Sequence, residues 1–429
     1  MTRLEKIQLS AIDEVYYRAR LTNGLNLYLL PKAEFTEISG LLSVKFGSID
    51  SEFTSVGDQL TKYPVGLAHF LEHKLFELDN GKDASLAFVK LGAESNAFTG
   101  FEQTNYFFSA REQGLDSLRL LFEMLSNLSV TGQSIAREKE IIGQEIDMYA
   151  DDSDYLLYSG TLHNLYPKTA LGADIAGSRS SLAEIDYQEL QTSYQSFYQT
   201  NNMSLIVVGQ FDVEQIYKVV KDCQSLFSNS PSLPLPVKQS VAHPPVIVKR
   251  SIQVEDINKP KYSLGLRGLP FSSFSLLEQR LGLQLFFALL MGWTSKTYQK
   301  WYESGRVDDS FDIEIEVSSR FRFVMILLDT DQPIAMSNLL KTTLGQFEQS
   351  PDMTVRHLEL VKREMYGDFM RSLDDIGHLT SQFVTYLTED ETYFDIPVCL
   401  EQLDLAKILA IGKEFLNQAD MTDFTIFPK

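Results

Sequence analysis

The sequence predicts an α+β protein built from two homologous α/β-sandwich domains. Three observations support this class: a length of 429 residues, a repeated order of elements, and a break in composition between the halves. A chain of this length is too long for one ordinary hydrophobic core. The break is segment 228–245, whose five prolines and four serines cannot sustain a helix or a central strand. We therefore expect an N-terminal domain at 1–228, a linker at 229–245 and a C-terminal domain at 246–429.

In the first half, strands of alternating hydrophobicity are mixed with apolar or amphipathic helices. Alternation with a period of two indicates half-buried strands, and apolar residues spaced three or four apart indicate helices. A polar stretch separates the last two helices. The predicted strands are 25–31, 38–46, 93–99, 104–109 and 203–208, and the predicted helices are 66–76, 85–91, 114–126, 134–149 and 183–198.

The second half repeats this order, which suggests an internal duplication. In the duplication, the helix that bears Glu145 corresponds to the one that bears Glu364, and the helix of His69 corresponds to 276–291. The latter helix has no histidine, so only one copy would retain metal chemistry. The predicted strands are 262–267, 309–317, 322–328 and 424–427, and the predicted helices are 276–291, 335–349, 354–373 and 403–417.

The charge excludes several classes of partner. The net charge of −20 comes from 38 basic and 58 acidic residues, whereas binding to nucleic acids or to anionic membranes requires a basic surface. We therefore expect no nucleic-acid and no membrane partner. The acidic surface could attract basic substrates, but its usual effect is to maintain solubility.

The cysteines point to a reducing compartment. Cys223 and Cys399 are too few for a disulfide framework or a thiolate zinc site. Residues 1–23 contain no apolar segment, and the longest apolar run, 285–291, is far shorter than the ~18 residues that a membrane span requires. The expected location is the cytoplasm.

The motif that carries chemistry is HFLEH at 69–73, inside an apolar helix. Positions four apart share one face of a helix, so the imidazoles of His69 and His73 can reach one ion. Glu72 points to nearly the same side, where it can act as the general base for a water molecule. Most lone histidines are ordinary core or surface residues. Three ionisable groups on a half-buried helix are costly unless they are paired or coordinated, which favours a catalytic zinc site.

A third ligand is expected from a second helix. Glu138 and Glu145 are seven residues apart, or two helical turns, and therefore share one face. The pair suits a metal ligand, Glu145, and a helper that orients a ligand, Glu138. The alternative explanation is that helix surfaces are naturally rich in glutamate.

These residues resemble the M16 metallopeptidases, the family of pitrilysin, insulinase and the mitochondrial processing peptidase. The family signature is His-x-x-Glu-His, followed some seventy residues later by Glu, and Glu145 lies 72 residues after His73. NAFT at 96–99 and TNY at 104–106 also match. The resemblance covers essentially the whole chain.

Two further strings, HKLFE at 73–77 and EIIGQEI at 140–146, are most similar to the YmfH-like proteins of Gram-positive bacteria. The family resemblance implies one zinc ion per chain, with His69, His73 and Glu145 as its ligands. Glu72 matches the family's general base, and Glu138 matches its assisting glutamate.

The resemblance also implies a mitochondrial processing peptidase-like fold, in which two halves close as a clamshell around a chamber. A peptide substrate would add to the edge of one strand by main-chain hydrogen bonds. The strand residues expected to bind it are Asn96, Ala97, Phe98 and Thr99.

One feature departs from the family pattern. Active members supply an Arg and a Tyr, seven residues apart, from a C-terminal half, but no Arg after the linker is followed by Tyr at that spacing. The corresponding region, 301–309, has neither residue in place. A sister subunit that supplies the pair is the favoured explanation, with a homodimer and a weakly active single chain as alternatives.

The leading hypothesis is therefore a zinc-dependent endopeptidase that cleaves peptides or small unfolded chains, as the zinc-bearing subunit of a two-chain assembly. The alternative is a non-catalytic or weakly active subunit that acts in peptide binding or assembly. A third possibility is an enzyme dedicated to one protein partner.

Overall fold

The computed structural model describes residues 4–9, 12–54, 60–79, 81–227, 235–238, 244, 246–270 and 272–429. The chain forms two compact units, each assembled from three separate segments. Most of the predicted linker, 229–245, lies outside the described residues, so the linker and the linear domain boundaries stay a prediction. Unit 1 contains Met1–Ile146, Asp174–Gln239 and Arg371–Phe394, and unit 2 contains Asp147–Ala173, Ser240–Met370 and Asp395–Lys429.

The strands of the described residues fall into three sheets. Their bounds are β1 (Glu5–Leu9), β2 (Glu14–Arg20), β3 (Asn26–Pro31), β4 (Ile38–Val44), β5 (Glu52–Thr54), β6 (Leu60–Lys62), β7 (Ala93–Thr99), β8 (Thr104–Ala110), β9 (Met203–Gly209), β10 (Val237–Lys238), β11 (Arg250–Glu255), β12 (Lys261–Gly268), β13 (Asp312–Val317), β14 (Arg322–Asp329) and β15 (Asp420–Pro428).

The helices begin mainly at Asp or Ser caps, whose side chains accept the first free backbone N–H groups. Their bounds are α1 (Leu67–Lys74), α2 (Ala84–Lys90), α3 (Gly114–Ser126), α4 (Gly132–Ala150), α5 (Ser153–Leu165), α6 (Arg179–Glu184), α7 (Tyr187–Phe197), α8 (Val213–Cys223), α9 (Leu276–Met291), α10 (Lys296–Glu303), α11 (Pro333–Gly345), α12 (Val355–Ser372), α13 (Ile376–Tyr386), α14 (Ile396–Gln402) and α15 (Leu405–Gln418).

Unit 1 is organised by a seven-stranded sheet in the order β1-β2-β3-β9-β4-β8-β7. β3 and β9 are parallel, and the other neighbours are antiparallel. The central strands β4 and β9 are buried along their whole length, which explains their nearly continuous apolar sequence. β7 pairs with β8 and forms one edge of the sheet. Helices α1 and α2 pack against β7, and α3 packs on β8 and β4.

Unit 2 contains a five-stranded sheet in the order β11-β15-β12-β14-β13, with β11 and β15 parallel and the rest antiparallel. This order and these directions repeat those of β3-β9-β4-β8-β7 in unit 1. The apolar helix α9 packs against β13, α15 and α14. The predicted α+β class with two homologous units is confirmed.

The two halves of the sequence exchange one helix each. α5, from the first half of the chain, packs on β15 and β12 of unit 2, and α13, from the second half, packs on β9 and β4 of unit 1. Because β9 and β4 correspond to β15 and β12, the exchange is reciprocal. The sequence pattern does not predict this exchange, since α5 lies in the polar stretch between the predicted helices 134–149 and 183–198.

The predicted helix 183–198 is wrong as one element, because α6 ends at Glu184 and a capping box at Asp186 and Glu189 starts α7. The predicted strand 309–317 begins later, at Asp312. In the described residues, no helix is both long enough and apolar enough to cross a membrane.

Candidate metal centre

Helix α1 carries three of the predicted site residues and begins at an unusual glycine. Gly66 has φ +94°, a left-handed conformation that favours glycine. A Cβ atom at this position would lie 2.5 Å from the carbonyl oxygen of Ala176. Phe70 and Leu71 are buried in the core of unit 1. This burial fixes the rotation of the helix and leaves its histidines on the other side.

His69, His73 and Glu145 converge on one point. The Nε2 atoms of His69 and His73 lie 3.7 Å and 3.6 Å from Glu145 Oε2, and the three ligand atoms are all within 4.8 Å of one another. Bonds of about 2.1 Å around a tetrahedral zinc ion would separate two donors by about 3.4 Å. The arrangement therefore fits one ion of this size. Elsewhere in the described ranges, no other trio of His, Cys, Asp or Glu side chains is arranged in this way.

His69 is kept in the neutral form that metal binding requires. Burial, and then the nearby charge of His73, lower the pKa of His69 to about 3. Its Nδ1 atom is buried and makes no hydrogen bond with the described residues. Nε2 is therefore the nitrogen that His69 can offer to a ligand.

His73 is oriented by Glu138. The Nδ1–H group of His73 donates to Glu138 Oε1 at 3.1 Å, which leaves Nε2 turned towards Glu145. Burial acts to raise the pKa of Glu138, but the hydrogen bond and charge of His73 and the charge of Lys74 outweigh burial and lower it. Burial acts to lower the pKa of His73. The hydrogen bond to Glu138 and the charge of Glu72 outweigh burial, so the pKa of His73 is raised overall.

Glu72 lies beside this cluster in a mostly dry environment. It is 8% exposed, and the Thr99 hydroxyl donates to its Oε2 atom at 2.5 Å. Burial raises the pKa of Glu72, and the bond from Thr99 partly offsets this rise. A buried carboxylate with a raised pKa is a suitable general base.

The four predicted substrate-binding residues lie on β7 and separate into two groups. Thr99 is buried and donates to Glu72, so the structure places it beside the candidate metal cluster. Asn96, Ala97 and Phe98 lie along the free edge of the sheet and do not touch the ligand atoms. The Asn96 side chain accepts the backbone N–H of Ala97 at 2.8 Å, and Phe98 is 40% exposed.

A cavity of about 660 Å³ adjoins the cluster. Glu72, His73 and Glu138 line one side of it, and Asn96 contributes from β7. The cavity therefore opens beside the carboxylates of Glu72 and Glu138 and beside strand β7.

Lys74 and Glu77 are two charged residues at this cavity that the sequence pattern did not single out. Lys74 is 1% exposed, and its Nζ atom lies 2.5 Å from Glu77 and 3.6 Å from Glu138. The available signal was an acidic residue three positions after a lysine at the end of an apolar helix, which is more often a solvated pair.

Comparisons with known proteins identify related sequences. Residues 59–179 match the family profile described as Insulinase (Peptidase family M16), and residues 184–365 match the profile described as Peptidase M16 inactive domain. An uncharacterized zinc protease of Bacillus subtilis (strain 168), YmfH, is 31% identical over 99% of this chain and 100% of its own length.

Solved structures show the same fold. A crystallised protein from Alicyclobacillus acidocaldarius, described as M16-like, has a TM-score of 0.89 and 25% identity, covering 100% of this chain and 99% of that chain. Pitrilysin has a TM-score of 0.70 and 15% identity, covering 100% of this chain but 47% of that chain.

Proposed function

The chain belongs to the M16 (insulinase) peptidase family, and from this premise we propose that it is a zinc-dependent endopeptidase acting on peptides or small unfolded chains. The observation that carries the proposal is the convergence of His69, His73 and Glu145, with Glu72 beside them. The name of the Bacillus relative, a zinc protease, supports the choice of metal.

In this proposal, His69, His73 and Glu145 would hold one zinc ion per chain. When bound, zinc lowers the pKa of a water molecule and polarises the scissile carbonyl. Glu72 accepts the proton of the attacking water and returns it to the leaving amine. Glu138 holds the ring of His73 so that Nε2 stays free for the metal.

The substrate would lie as an extended strand along β7. Peptides that add to a sheet edge are held by main-chain hydrogen bonds, which favours extended conformation over sequence. Asn96, Ala97 and Phe98 line this edge, and the enclosed chamber that the family resemblance implies remains part of the proposal.

We further propose that a second chain completes the active site. No Arg in 246–429 is followed seven residues later by Tyr, so the substrate-carbonyl contacts expected in the family must come from elsewhere. A homodimer would bring a second copy of the same deficient half, which favours a different sister subunit. Pitrilysin, whose length accommodates this fold twice over, is consistent with pairing.

We also propose that the protein is located in a reducing cytoplasm. Cys223 and Cys399 are both buried and form no disulfide with each other, as expected in a reducing compartment. Burial also raises the pKa of the Cys223 thiol to about 11, so this thiol is unreactive.

The test is a peptidase assay with and without a candidate sister subunit, combined with metal analysis. We expect one zinc per chain in the wild type and none in His69→Ala. Glu72→Gln should keep zinc but lose activity by a factor of about a thousand. Glu140→Gln, on an exposed position of α4, is the matched control and should remain active. Full activity of Glu72→Gln in the competent assembly would refute the mechanism.

A second candidate function is a non-catalytic subunit that binds peptides or supports assembly. The missing Arg and Tyr pair favours it, as does the match of 184–365 to an inactive domain. Wild-type protein without stoichiometric zinc would support this alternative. Cleavage of many short peptides from a library would instead exclude an enzyme dedicated to one protein partner.

A further inference from the structure

Lys74 is a buried lysine that directly follows the metal-centre residue His73. Its side chain is 1% exposed, and burying an ammonium group is costly unless other groups compensate the charge. Phe70 and Leu71, on the same helix, are fully buried and apolar. An apolar residue would therefore suit packing at position 74, and a charged residue there indicates an electrostatic role.

Glu138 is held at both of its carboxylate oxygens. Oε1 accepts the hydrogen bond from His73 Nδ1 at 3.1 Å, and Oε2 faces Lys74 Nζ at 3.6 Å. A carboxylate fixed at both oxygens cannot rotate without breaking one of these contacts. The orientation of Glu138 therefore sets the orientation of the His73 ring.

We propose that Lys74 is a positioning residue of the metal centre, which acts through Glu138 on the ring of His73. This inference rests on the proposed zinc-peptidase function and deepens it. Contacts that orient a metal-binding histidine typically change metal affinity about 10–100-fold. Lys74 contacts Glu138 Oε2, the oxygen that the imidazole of His73 does not use. The low exposure of Lys74 and Glu138 strengthens their attraction.

The competing role for Lys74 is to neutralise Glu77, which lies 2.5 Å away. Glu77 has another cation in reach, because Arg137 Nη2 lies 3.8 Å from its carboxylate. Within the described part of the chain, Lys74 and His73 are the cationic partners of Glu138. Each carboxylate thus has a second cationic partner besides Lys74, so variants are needed to separate the two roles of Lys74.

A charge-balanced set of variants separates these roles. The zinc dissociation constant would be measured by chelator competition for the wild type, Lys74→Met, Glu77→Gln and the double variant K74M/E77Q. We expect Lys74→Met and the double variant to bind zinc at least about tenfold more weakly, with Glu77→Gln close to the wild type. Lys139→Met is the control, since Lys139 adjoins Glu138 in sequence but donates to the carbonyl of Ala183. Wild-type affinity in the double variant would show that Lys74 serves Glu77 alone, and the proposal would fall.

A second readout uses the metal-free protein, which makes it independent of activity. The His73 Nδ1 proton should give an NMR signal protected from solvent exchange while it is bound to Glu138. We expect Lys74→Met to lose this protection and Lys74→Arg to recover part of it. Unchanged protection in Lys74→Met would overturn the positioning role.

The same experiments distinguish this inference from the function on which it rests. Wild-type protein that binds no zinc refutes the proposed function, whereas normal zinc binding in both Lys74→Met and the wild type refutes only the role of Lys74. Thermal unfolding reports whether each variant is folded. The double variant removes both charges together, so it supplies the comparison when the single variant does not fold.

Discussion

At the residue scale, several side chains of the candidate metal centre have pKa values that their surroundings shift from the ordinary ones, namely His69, Glu72, His73 and Glu138. Burial keeps His69 neutral, so its lone pair is available. Burial raises the pKa of Glu72 towards the range of a proton acceptor. His73 and Lys74 instead keep Glu138 ionised, which makes it a permanent hydrogen-bond acceptor. His69 and Glu138 are thereby held in the forms that their proposed roles require.

Thr99→Val tests the hydrogen bond that Thr99 donates to Glu72. Valine keeps the shape of the side chain but removes the donor, and a hydrogen bond to a charged group contributes about 1.5–3 kcal/mol. We expect kcat/KM to fall about tenfold or more in the competent assembly, with unchanged zinc content. Because the bond favours the ionised carboxylate, its loss should also move the acid limb of the pH profile to higher pH.

Thr99→Ser is the matched control, because serine restores the donor. Activity close to that of the wild type is expected for this variant. Loss of zinc in Thr99→Val would instead assign the hydroxyl to the fold, and full activity would remove it from the mechanism.

The Asp423 carboxylate of unit 2 predicts a pH-dependent stability. It accepts hydrogen bonds from Tyr262, Ser337 and Lys341. Burial acts to raise its pKa, but these contacts, Lys341 foremost, lower it overall. The pKa of an aspartate in the unfolded chain is about 3.9. The lowered pKa in the folded protein therefore stabilises the fold fully at pH values above this, and the stabilisation is lost as the pH falls through the pKa of the folded protein.

We expect Asp423→Asn to lower the free energy of unfolding at pH 7 by about 1–3 kcal/mol. The difference in the free energy of unfolding between the variant and the wild type should narrow below about pH 4. In that range Asp423 of the wild type becomes protonated in the unfolded chain. Urea midpoints at several pH values measure this trend. Asp331→Asn, at an exposed position of the same unit, should change little. A difference that is constant with pH would contradict the assignment.

At the element scale, the position of α1 depends on the residue that precedes it. Gly66→Ala would introduce a side chain at φ +94° and place its Cβ atom 2.5 Å from the carbonyl oxygen of Ala176. Strain of this kind costs on the order of 1–3 kcal/mol, and any shift of α1 moves both histidines. We expect a lower melting temperature and weaker zinc binding.

Gly92→Ala separates the two causes. Gly92 also has a positive φ, +69°, but nothing lies within 4 Å of the place where its Cβ atom would be. The Gly92→Ala variant should therefore lose stability only through backbone strain and should retain its zinc affinity. Equal losses of zinc affinity in both variants would mean that the close approach to Ala176 is unimportant.

Local periodicity predicted the elements that bury a regular face, and it failed where the packing partner lies in the other half of the sequence. α1 and the strand pair β7 and β8 were predicted because their apolar positions repeat with the period of one element. α5 was missed partly because Gly160 weakens a helical pattern. In the structure this glycine is where the ring of Phe424 approaches, 2.4 Å from an added Cβ. No local pattern contains that contact.

The candidate site divides in the same way. His69, Glu72 and His73 follow from helical spacing within five residues, whereas the pairing with Glu145 spans 72 residues and was specified by the family resemblance. The role of Lys74 could not be predicted, because its partner Glu138 lies on another helix. Sequence alone presents Lys74 as a charge at the end of a helix, where such a residue is usually solvated.

At the scale of the whole molecule, the exchange of α5 and α13 makes neither half of the chain self-sufficient. Phe383 of α13 contacts the rings of Tyr16 and Tyr28 at 6.1 and 5.3 Å, inside unit 1. α5 in turn buries Leu157 against Phe424 of unit 2. Each unit obtains part of its core from the other half of the sequence.

A fragment of residues 1–228 should therefore fail to fold fully, although it contains all three proposed metal ligands. Without α13, the apolar surface of β4 and β9 is left partly uncovered. We expect binding of the dye ANS and no cooperative thermal unfolding. Addition of a peptide covering 371–394 should reduce dye binding, while a scrambled peptide of the same composition should not. Cooperative unfolding of the fragment alone would contradict the interpretation.

The helix exchange also has a consequence for biosynthesis. The segment Arg371–Phe394, which completes unit 1, begins 226 residues after Glu145. The ribosome therefore synthesises it well after the last proposed metal ligand. At 5–20 residues per second, this interval is about 11–45 s. During that time the nascent chain carries every proposed metal ligand without the helix that covers β4 and β9. Unit 1, which carries the proposed metal ligands, can therefore be completed only after the segment Arg371–Phe394 has been synthesised.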